Sequence, residues 1–503
     1  MRNPLIPGFH PDPSIVRVGD DYYLATSSFE YLPGIPIFHS TELETFDLLT
    51  HVAVRDGQLN LTEVTTGGGA WAPTIRHHEG RFWLVVSDML GGRGTILFTA
   101  ERPEGPWSDG TVLDVLGIDP DIAWDDEGTC YVTMSGFLLD EEHNLTHLGI
   151  TQVSLDPDTG SPTSDVRRLW SGTGGMFPEA PHLYHVGDWW YLMIAEGGTE
   201  RGHSISIARA RSPRGPFEPG PNNPLVTARG TDRPVQNTGH GDLVQGPDGA
   251  WTVVLLGTRP RSMTRAFAPM GRETFCSPVT WGADGWPSIE PVRLDARHPA
   301  IERHMGFPDD RPASLDGFDG EIVAVRQFPA QVADLEARPG WARLTGHGAG
   351  MDAPRPDFIG VRQCTEACAL EVRLDPRHGV GGLSMRYDET FHYDVEVGGS
   401  VVTATMHIAS IRQSWTHRRK DTGDVRLRIV ADPPATSSFG ATCDRLLAQM
   451  FDDGAWVTLA SFDGRYLSSD VCESFTGRVI GPYARSGHID VATIDYTGQD
   501  IQR

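Results

Sequence analysis

The alternation of polar turns and short apolar runs repeats five times in the first three fifths of the chain. In the first copy, the segment 8–13 (GFHPDP) precedes the apolar run 15–18, a Gly-Asp-Asp turn and the apolar run 22–24. Two such runs around a Gly-Asp turn predict a β-hairpin. In every copy an aromatic residue follows the first position by ten or eleven residues: Pro13 and Tyr23, Pro73 and Trp83, Pro120 and Tyr131, Pro181 and Tyr191, Gly241 and Trp251.

The five copies recur at similar intervals along the chain. Their first positions lie 60, 47, 61 and 60 residues apart. A sustained period of this kind indicates a repeat architecture, and the lengths suit four-stranded β-propeller blades with long loops. The sequence therefore predicts a five-bladed β-propeller over residues 1–305.

Candidate chemistry gathers at the start of each copy. The innermost strand of a propeller blade lines the central channel, so residues at its start meet at one mouth of that channel. Polar residues hold this place in four copies and an aromatic residue in the other: Asp12, Asp119, Glu179, His240 and Trp71. Carboxylate pairs of this kind hydrolyse glycosidic bonds. Asp12 and Asp119 alone would also fit turn caps, and Glu179 would fit an exposed loop, but their positions in the repeat favour a sugar-cleaving site.

The repeat described above does not continue after residue 318. Segments 369–374, 425–430 and 456–460 instead alternate apolar and polar residues, which predicts strands with one buried face. Several such strands predict a β-sandwich, for example of the jelly-roll type, over residues 316–503. The segment 304–318, rich in Gly, Pro and Asp, is the expected linker. The predicted fold class is all-β.

Charge and hydropathy exclude some partners. The net charge of −25 over 503 residues argues against nucleic acid and anionic membranes. No apolar run approaches the length of a membrane span, and residues 1–5 lack the apolar core of a signal peptide. We therefore expect a cytoplasmic protein with no membrane partner. The oligomeric state stays open, with a homo-oligomer among the alternatives.

Seven short segments, in order along the chain, resemble glycoside hydrolase family 43, which contains β-xylosidases and α-L-arabinofuranosidases. They are GFHPDPS at 8–14, WAP at 71–73, GIDP at 117–120, PEAPHLY at 178–184, AEGGT at 195–199, GHGD at 239–242 and GRET at 271–274. The second domain resembles the concanavalin-like β-sandwich that follows the propeller in the xylosidase branch. This resemblance spans nearly the whole chain and implies an inverting enzyme.

The resemblance implies a role for each residue at a matching position. Asp12 is the expected general base that activates water, and Glu179 is the general acid that protonates the leaving oxygen. Asp119 raises the pKa of the acid and holds it in place. Arg272 contacts sugar hydroxyls in the −1 subsite, although it would also fit a structural ion pair, and Thr199 faces the same subsite.

Four further residues have a functional and a structural interpretation. Phe29 and Trp71 flank motif residues and are expected to stack on a sugar ring, although both also fit a hydrophobic core. The resemblance implies that a sandwich loop carries an aromatic residue to the active site, and Phe475 in the segment 475–483 is our candidate. His240 either packs in the channel or helps to hold a calcium ion, largely through water because calcium prefers oxygen ligands. No other cofactor is expected.

The sequence departs from the family pattern at three places. Asp121 stands where the family usually has Ser. This extra carboxylate either shifts the pKa of the general acid further or points away into a turn. Thr74 stands where many xylosidases carry Asp. Gly136 and Phe137 occupy the place of a xylosidase Trp. These changes weaken the assignment of the substrate and not that of the reaction.

Three classes of function compete. A retaining enzyme of the sucrose-cleaving kind would have Cys after the acid, whereas Ala180 follows Glu179. A non-catalytic carbohydrate-binding propeller would not need three carboxylates. The sequence therefore favours an inverting exo-glycosidase that releases xylose from the non-reducing end of β-1,4-xylooligosaccharides. An α-L-arabinofuranosidase acting on arabinan or arabinoxylan fragments is the alternative.

Overall fold

Strands make up nearly all the regular structure in the computed structural model of the chain. The structure describes residues 2–140, 145–262, 264–294, 299–307, 314–315, 317–432, 436–437 and 440–501. Its helices are single turns: Phe318–Gly320, Pro329–Val332, Gly350–Asp352, Gly464–Tyr466 and Ser469–Cys472. Within the described ranges, no helix is long and apolar enough to span a membrane. The all-β prediction is confirmed.

The first domain consists of five antiparallel sheets, one for each predicted repeat. From the channel outward, their main strands are Ser14–Val18, Asp21–Ala25, Gly34–Ser40 and Asp47–Ala53 in blade 1; Gly69–His78, Arg81–Met89, Gly94–Ala100 and Thr111–Leu113 in blade 2; Gly117–Trp124, Cys130–Leu139, Leu145–Asp156 and Ser161–Pro162 in blade 3; Glu179–Val186, Trp189–Glu196, Ser204–Ala210 and Glu218–Pro219 in blade 4; Gln236–Gln245, Trp251–Thr258, Glu273–Trp281 and Pro287–Ile289 in blade 5. Arg167–Trp170 and Val226–Thr227 add short strands to blades 3 and 4. The first strands of successive blades contact one another, and that of blade 5 contacts that of blade 1, so the predicted five-bladed ring closes.

Apolar clusters between neighbouring blades hold the ring together. Between blades 1 and 2, for example, Ile37 packs with Ile75 and Leu84, all fully buried. Complete burial of a side chain of this size contributes about 1.5–3 kcal/mol. The N-terminal segment closes the ring, because the Leu5 N–H donates to the Thr274 carbonyl of blade 5 at 2.8 Å.

A buried polar network crosses the channel axis and joins all five inner strands. The Arg76 guanidinium of blade 2 donates to Asp121 of blade 3 at 2.7 Å and to Asp242 of blade 5 at 2.8 Å. Ser14 of blade 1 and Tyr184 of blade 4 donate to Asp242 at 2.7 and 2.6 Å. Asp121 therefore points neither into a turn nor into the mouth, but binds the arginine on the axis.

The second domain is the predicted β-sandwich, built on two long strands, Ala367–Arg386 and Val479–Gln499, that pair along most of their length. Each long strand takes part in both layers. One layer also contains Ile301–Gly306, Val425–Asp432, Arg445–Asp452 and Ala455–Asp463; the other also contains Ala333–Asp334, Ala342–His347, Asp357–Phe358, Val361–Arg362, Phe391–Gly398, Val401–Ile408 and Ile411–Arg418. Buried and half-buried residues alternate along Val425–Asp432, as the sequence pattern predicts.

The domain boundary differs from the prediction. Ile301–Gly306 pairs with the end of Val479–Gln499 and is therefore a strand of the sandwich, whereas the prediction ended the first domain at 305 and began the second at 316. The last propeller strand ends at Ile289. Of the predicted linker 304–318, residues 308–313 and 316 lie outside the described ranges.

The sandwich packs against the propeller beside the mouth of the channel. Tyr31–Leu32 of the propeller pairs with Ala324–Val325 of the second domain. Phe9 and Phe29 share an apolar cluster with Phe358 across this interface. The second domain thus forms one side of the mouth.

Candidate active site

A residue with left-handed backbone, here called the bulge, stands at the start of each inner strand, and in blades 2 to 5 the pairing register shifts there. Asp12, Ala72, Asp119, Ala180 and His240 have left-handed backbone, with φ of 56°, 45°, 52°, 50° and 46°. Each stands directly before the Pro or Gly that begins its repeat. Such conformations cost about 1–3 kcal/mol each and cluster at functional sites. The bulge directs either its own side chain or the preceding one into the mouth.

The mouth opens into a cavity of about 270 Å³ lined by every residue to which the sequence analysis assigns a catalytic, substrate-binding or metal-binding role. These residues are Asp12, Phe29, Trp71, Asp119, Glu179, Thr199, His240, Arg272 and Phe475. The volume lies near the lower end of small-molecule sites, which are about 300–1,000 Å³. A cavity of this size suits one sugar ring.

Asp12 is fixed from two sides and held in its ionised form. Its Oδ1 accepts a hydrogen bond from Arg272 at 3.0 Å, and its Oδ2 accepts one from Ser27 at 2.5 Å. Burial raises the pKa of Asp12, but the Arg272 charge and the Ser27 hydrogen bond lower it by more, so it lies below the usual value. An ionised carboxylate held in this way can act as a general base.

Glu179 and Asp119 lie close together and share a buried environment. Asp119 Oδ2 accepts a hydrogen bond at 3.1 Å from the N–H of Ala180, the residue after Glu179. Burial raises the pKa of Glu179 well above the usual value, and the charges of Asp119 and Asp12 raise it further. Burial, followed by the Asp12 charge, raises the pKa of Asp119 to about 7. Glu179 therefore keeps a proton near neutral pH, as a general acid requires.

Asp119→Asn is expected to move the alkaline limb of the kcat/KM pH profile to lower pH by about one unit. Removal of a negative charge beside Glu179 lowers the pKa of the acid, so its proton is lost earlier as pH rises. Profiles of the wild type and the variant on one substrate would measure the shift. An alkaline limb that stays in place would show that Asp119 does not tune the acid.

Arg272 connects the base to the substrate side of the cavity. The Nη1 atom that binds Asp12 also donates to Thr199 Oγ1 at 3.0 Å. Nη2 donates to the Phe475 carbonyl of the second domain at 3.3 Å. The Arg272 guanidinium therefore places a positive charge and N–H donors in fixed positions on the side of the cavity where sugar hydroxyls would lie.

Three aromatic rings form one wall of the cavity. The Phe475 ring lies 6.4 Å from Phe29, nearly parallel to it, and 5.2 Å from Trp71. Phe475 is 38% exposed, so it has a free surface toward the cavity. Tyr483, at the other end of the predicted segment, does not line the cavity; it is buried and donates to Glu396 at 3.1 Å.

His240 lies beside the base, but the residues around it do not fit a calcium ion. Its Nδ1 lies 3.5 Å from Asp12 Oδ1, and burial lowers its pKa to about 3, so the ring is neutral. Calcium requires six to eight oxygen ligands. Asp12 is already bound by Arg272 and Ser27, and Arg76 binds the carboxylates on the axis.

The cavity also contains residues that sequence reasoning missed: Ile118, Phe177, Gly198, Glu200 and His203. Ile118 holds the position before a bulge, as Trp71 and Glu179 do, so the repeat could have identified it. His203 lies outside the repeated motif. Its Nδ1 donates to the Asn237 carbonyl at 3.0 Å, and its Nε2 has no hydrogen-bond partner among the described residues. Burial lowers the pKa of His203 to about 4. Its neutral Nε2 can therefore accept a hydrogen bond from a sugar hydroxyl.

Two departures from the family pattern lie outside the cavity lining. Thr74 is buried in the inner strand of blade 2, where it pairs with Val85. Phe137 lies in the second strand of blade 3 and contacts His147, with ring centroids 5.5 Å apart. Ile118 and Phe177 supply apolar lining instead.

Comparison with known proteins agrees with this geometry in both domains. The family model "Glycosyl hydrolases family 43" matches residues 1–287, and the model "Beta xylosidase C-terminal Concanavalin A-like domain" matches residues 322–497. The two matches together cover both domains of the structure.

Individual relatives extend over most or all of the chain. The non-reducing end alpha-L-arabinofuranosidase of Bacteroides ovatus is 36% identical, over 100% of this chain and 94% of the relative. The beta-xylosidase of Bacillus subtilis is 32% identical over 72% of each chain. The crystal structure of xylan beta-1,4-xylosidase from Bacillus halodurans superposes with a TM-score of 0.87 at 28% identity, covering 99% of both chains. This chain therefore belongs to glycoside hydrolase family 43, as its motifs indicate.

Proposed function

We propose that this glycoside hydrolase is an inverting exo-enzyme that releases xylose from the non-reducing end of β-1,4-xylooligosaccharides. The observation that carries this proposal is a cavity of about 270 Å³ that holds three carboxylates and is bounded by Phe475. A cavity that suits one ring favours terminal cleavage over cleavage within a chain.

In the proposed reaction, one water displaces the leaving sugar in a single step. The ionised Asp12 takes a proton from the water as its oxygen bonds to the anomeric carbon. The bond to the glycosidic oxygen breaks, and that oxygen takes the proton of Glu179. Asp12 ends protonated and Glu179 ionised, and exchange with solvent restores both. These groups supply the base, the acid and the charge, so we propose that no cofactor is needed.

An α-L-arabinofuranosidase is the second candidate, and one observation favours it. The relative that matches this chain over its full length is named for that activity, while a beta-xylosidase matches over 72%. The Bacillus halodurans xylosidase matches the whole fold. Similarity to relatives of both activities supports a cavity specific for pentoses. Kinetics on both substrates will give the order of preference between xylosides and arabinofuranosides.

The experiment compares kcat/KM on p-nitrophenyl β-D-xylopyranoside and p-nitrophenyl α-L-arabinofuranoside with one enzyme preparation. We expect the xyloside to be the better substrate. A higher value on the arabinofuranoside would establish the second candidate. Activity on neither glycoside would contradict both.

Phe475→Ala is expected to raise KM for xylobiose about 2- to 10-fold and to leave the thermal midpoint close to that of the wild type. Aromatic contacts of this kind contribute about 0.5–1.5 kcal/mol, and the partly exposed ring adds little to the core. Steady-state kinetics and thermal unfolding would measure both quantities. Tyr466→Ala is a matched control, because Tyr466 is exposed to the same extent, 39% against 38%, and does not line the cavity. An unchanged KM in Phe475→Ala would limit the sandwich to a scaffold role.

A further inference from the structure

Two histidines and an aspartate converge on one point at the surface of the sandwich domain, outside the active site. His392 and His407 lie directly opposite each other on the neighbouring strands Phe391–Gly398 and Val401–Ile408. Asp352 ends the single-turn helix Gly350–Asp352, which packs beside them. His392 Nε2 lies 2.9 Å from His407 Nδ1, and Asp352 Oδ1 lies 3.0 Å from each nitrogen.

These three atoms have the spacing of metal ligands. They form a nearly equilateral triangle, so an ion about 1 Å above its plane would lie about 2.0 Å from each atom. Zinc binds histidine nitrogen and carboxylate oxygen at about 2.0–2.2 Å. Two imidazole nitrogens with one carboxylate favour a transition metal over calcium or magnesium, which prefer oxygen ligands throughout.

A second carboxylate orients the inner histidine. His392 Nδ1 lies 2.8 Å from Asp394 Oδ2, and the two residues are only 1% and 6% exposed. A carboxylate that accepts the other ring N–H of a ligating histidine fixes its tautomer and makes the free nitrogen a stronger ligand. With Nδ1 held in this way, His392 presents Nε2 to the centre of the cluster, and an entering ion displaces the Nε2 proton that Asp352 accepts.

Arg412 holds the position that a fourth ligand would occupy. Its Nη2 lies 2.5 Å from Asp352 Oδ1 and 3.0 Å from His407 Nδ1. The Arg412 side chain is 48% exposed, so it can rotate into solvent when an ion enters. Its positive charge competes with the ion and sets an upper limit on affinity.

We propose that Asp352, His392 and His407 bind one divalent transition-metal ion of the zinc type, with water as the fourth ligand once Arg412 has turned away. The ion fastens the turn Gly350–Asp352 to the two strands behind it. Met351 of this turn packs in the apolar cluster that contains Phe29 of the active-site wall. Metal binding therefore stabilises the interface between the two domains and is separate from the hydrolytic chemistry.

The test measures zinc binding to the full chain, with any affinity tag removed and bound metals stripped by a chelator. Competition of Zn²⁺ with a chromophoric chelator should give one equivalent bound with a Kd of about 10 μM or less, and His407→Ala should weaken binding at least about 100-fold. His488→Ala is the matched control, because His488 also faces a histidine, His378, across two strands of the same domain, and it should leave binding unchanged. Circular dichroism would verify that both variants are folded.

A second variant tests the same site without removing a ligand. Arg412→Ala should tighten Zn²⁺ binding about tenfold or more, because the competing charge is lost and the fourth position is free. Zn²⁺ should also raise the thermal midpoint of the wild type and not that of His407→Ala. No stoichiometric binding to the wild type, binding that survives His407→Ala, or weaker binding in Arg412→Ala would each overturn the proposal.

Discussion

Replacement of Asp12 by Asn is expected to lower kcat for xylobiose about 10²- to 10⁴-fold while the protein stays folded. The amide has the same shape as the carboxylate and can still accept the hydrogen bond from Ser27 Oγ, but it cannot take a proton from water. Because Arg272 loses its ionic partner, a modest rise in KM should accompany the loss. Steady-state kinetics on xylobiose, together with the thermal midpoint, would measure the effect.

Asp20→Asn provides the control for this variant. Asp20 lies in the exposed turn of the same hairpin, eight residues after the base, and its replacement should leave kcat within about twofold, as for ordinary surface changes. Near-normal kcat in a folded Asp12→Asn variant would refute the assignment of the general base.

Replacement of Glu179 by Gln is expected to have an effect that depends on the leaving group. On xylobiose, kcat should fall about 10²- to 10⁴-fold, because the departing sugar alkoxide needs the proton that glutamine cannot give. On p-nitrophenyl β-D-xylopyranoside the loss should be much smaller, because nitrophenolate departs without a proton. The ratio of the two losses, measured by steady-state kinetics, identifies the acid.

Glu200→Gln is the matched control for the acid. Glu200 lines the same cavity but does not belong to the repeated motif. Its replacement should therefore lower kcat on both substrates to a similar and small extent. If Glu200→Gln, and not Glu179→Gln, showed the dependence on leaving group, the assignment of the acid would be wrong.

The repeat explains why so much of the fold could be predicted from the sequence. The main strands of each blade pair with their neighbours in the sequence, so local patterns such as the one at 15–24 are sufficient to define a hairpin. The strand Ile301–Gly306 was missed for the opposite reason. Its partner strand ends at Gln499, and no local pattern reports a pairing over such a distance.

The candidate site was predictable where residues stand at the bulge or one position before it. Asp12, Asp119 and His240 hold the first position, and Trp71 and Glu179 hold the second. These two positions supply six of the fourteen residues that line the cavity, including all three carboxylates with a proposed role. His203 reaches the cavity from the position directly before the strand Ser204–Ala210, which lies outside the repeated motif, and only the folded structure brings it there.

Asp121 shows why the direction of a side chain cannot be predicted from the local sequence near a bulge. Two residues separated by one position share a face of a regular strand, so one of the two positions predicted for Asp121 was near the acid and the other was in a turn. The pairing register shifts between Ile118 and Asp121, and Asp121 instead binds Arg76 on the channel axis. Its effect is to hold the ring of blades together.

The anomeric form of the first product tests the central claim most directly. If Asp12 activates water and Glu179 protonates the leaving oxygen in one displacement, hydrolysis of a β-xyloside must release α-xylose first. Proton NMR of a concentrated reaction, recorded before mutarotation, distinguishes the two anomers. We predict that α-xylose appears first and β-xylose follows only as the sugar equilibrates. Initial release of β-xylose would require a covalent nucleophile and would contradict the roles given to both carboxylates.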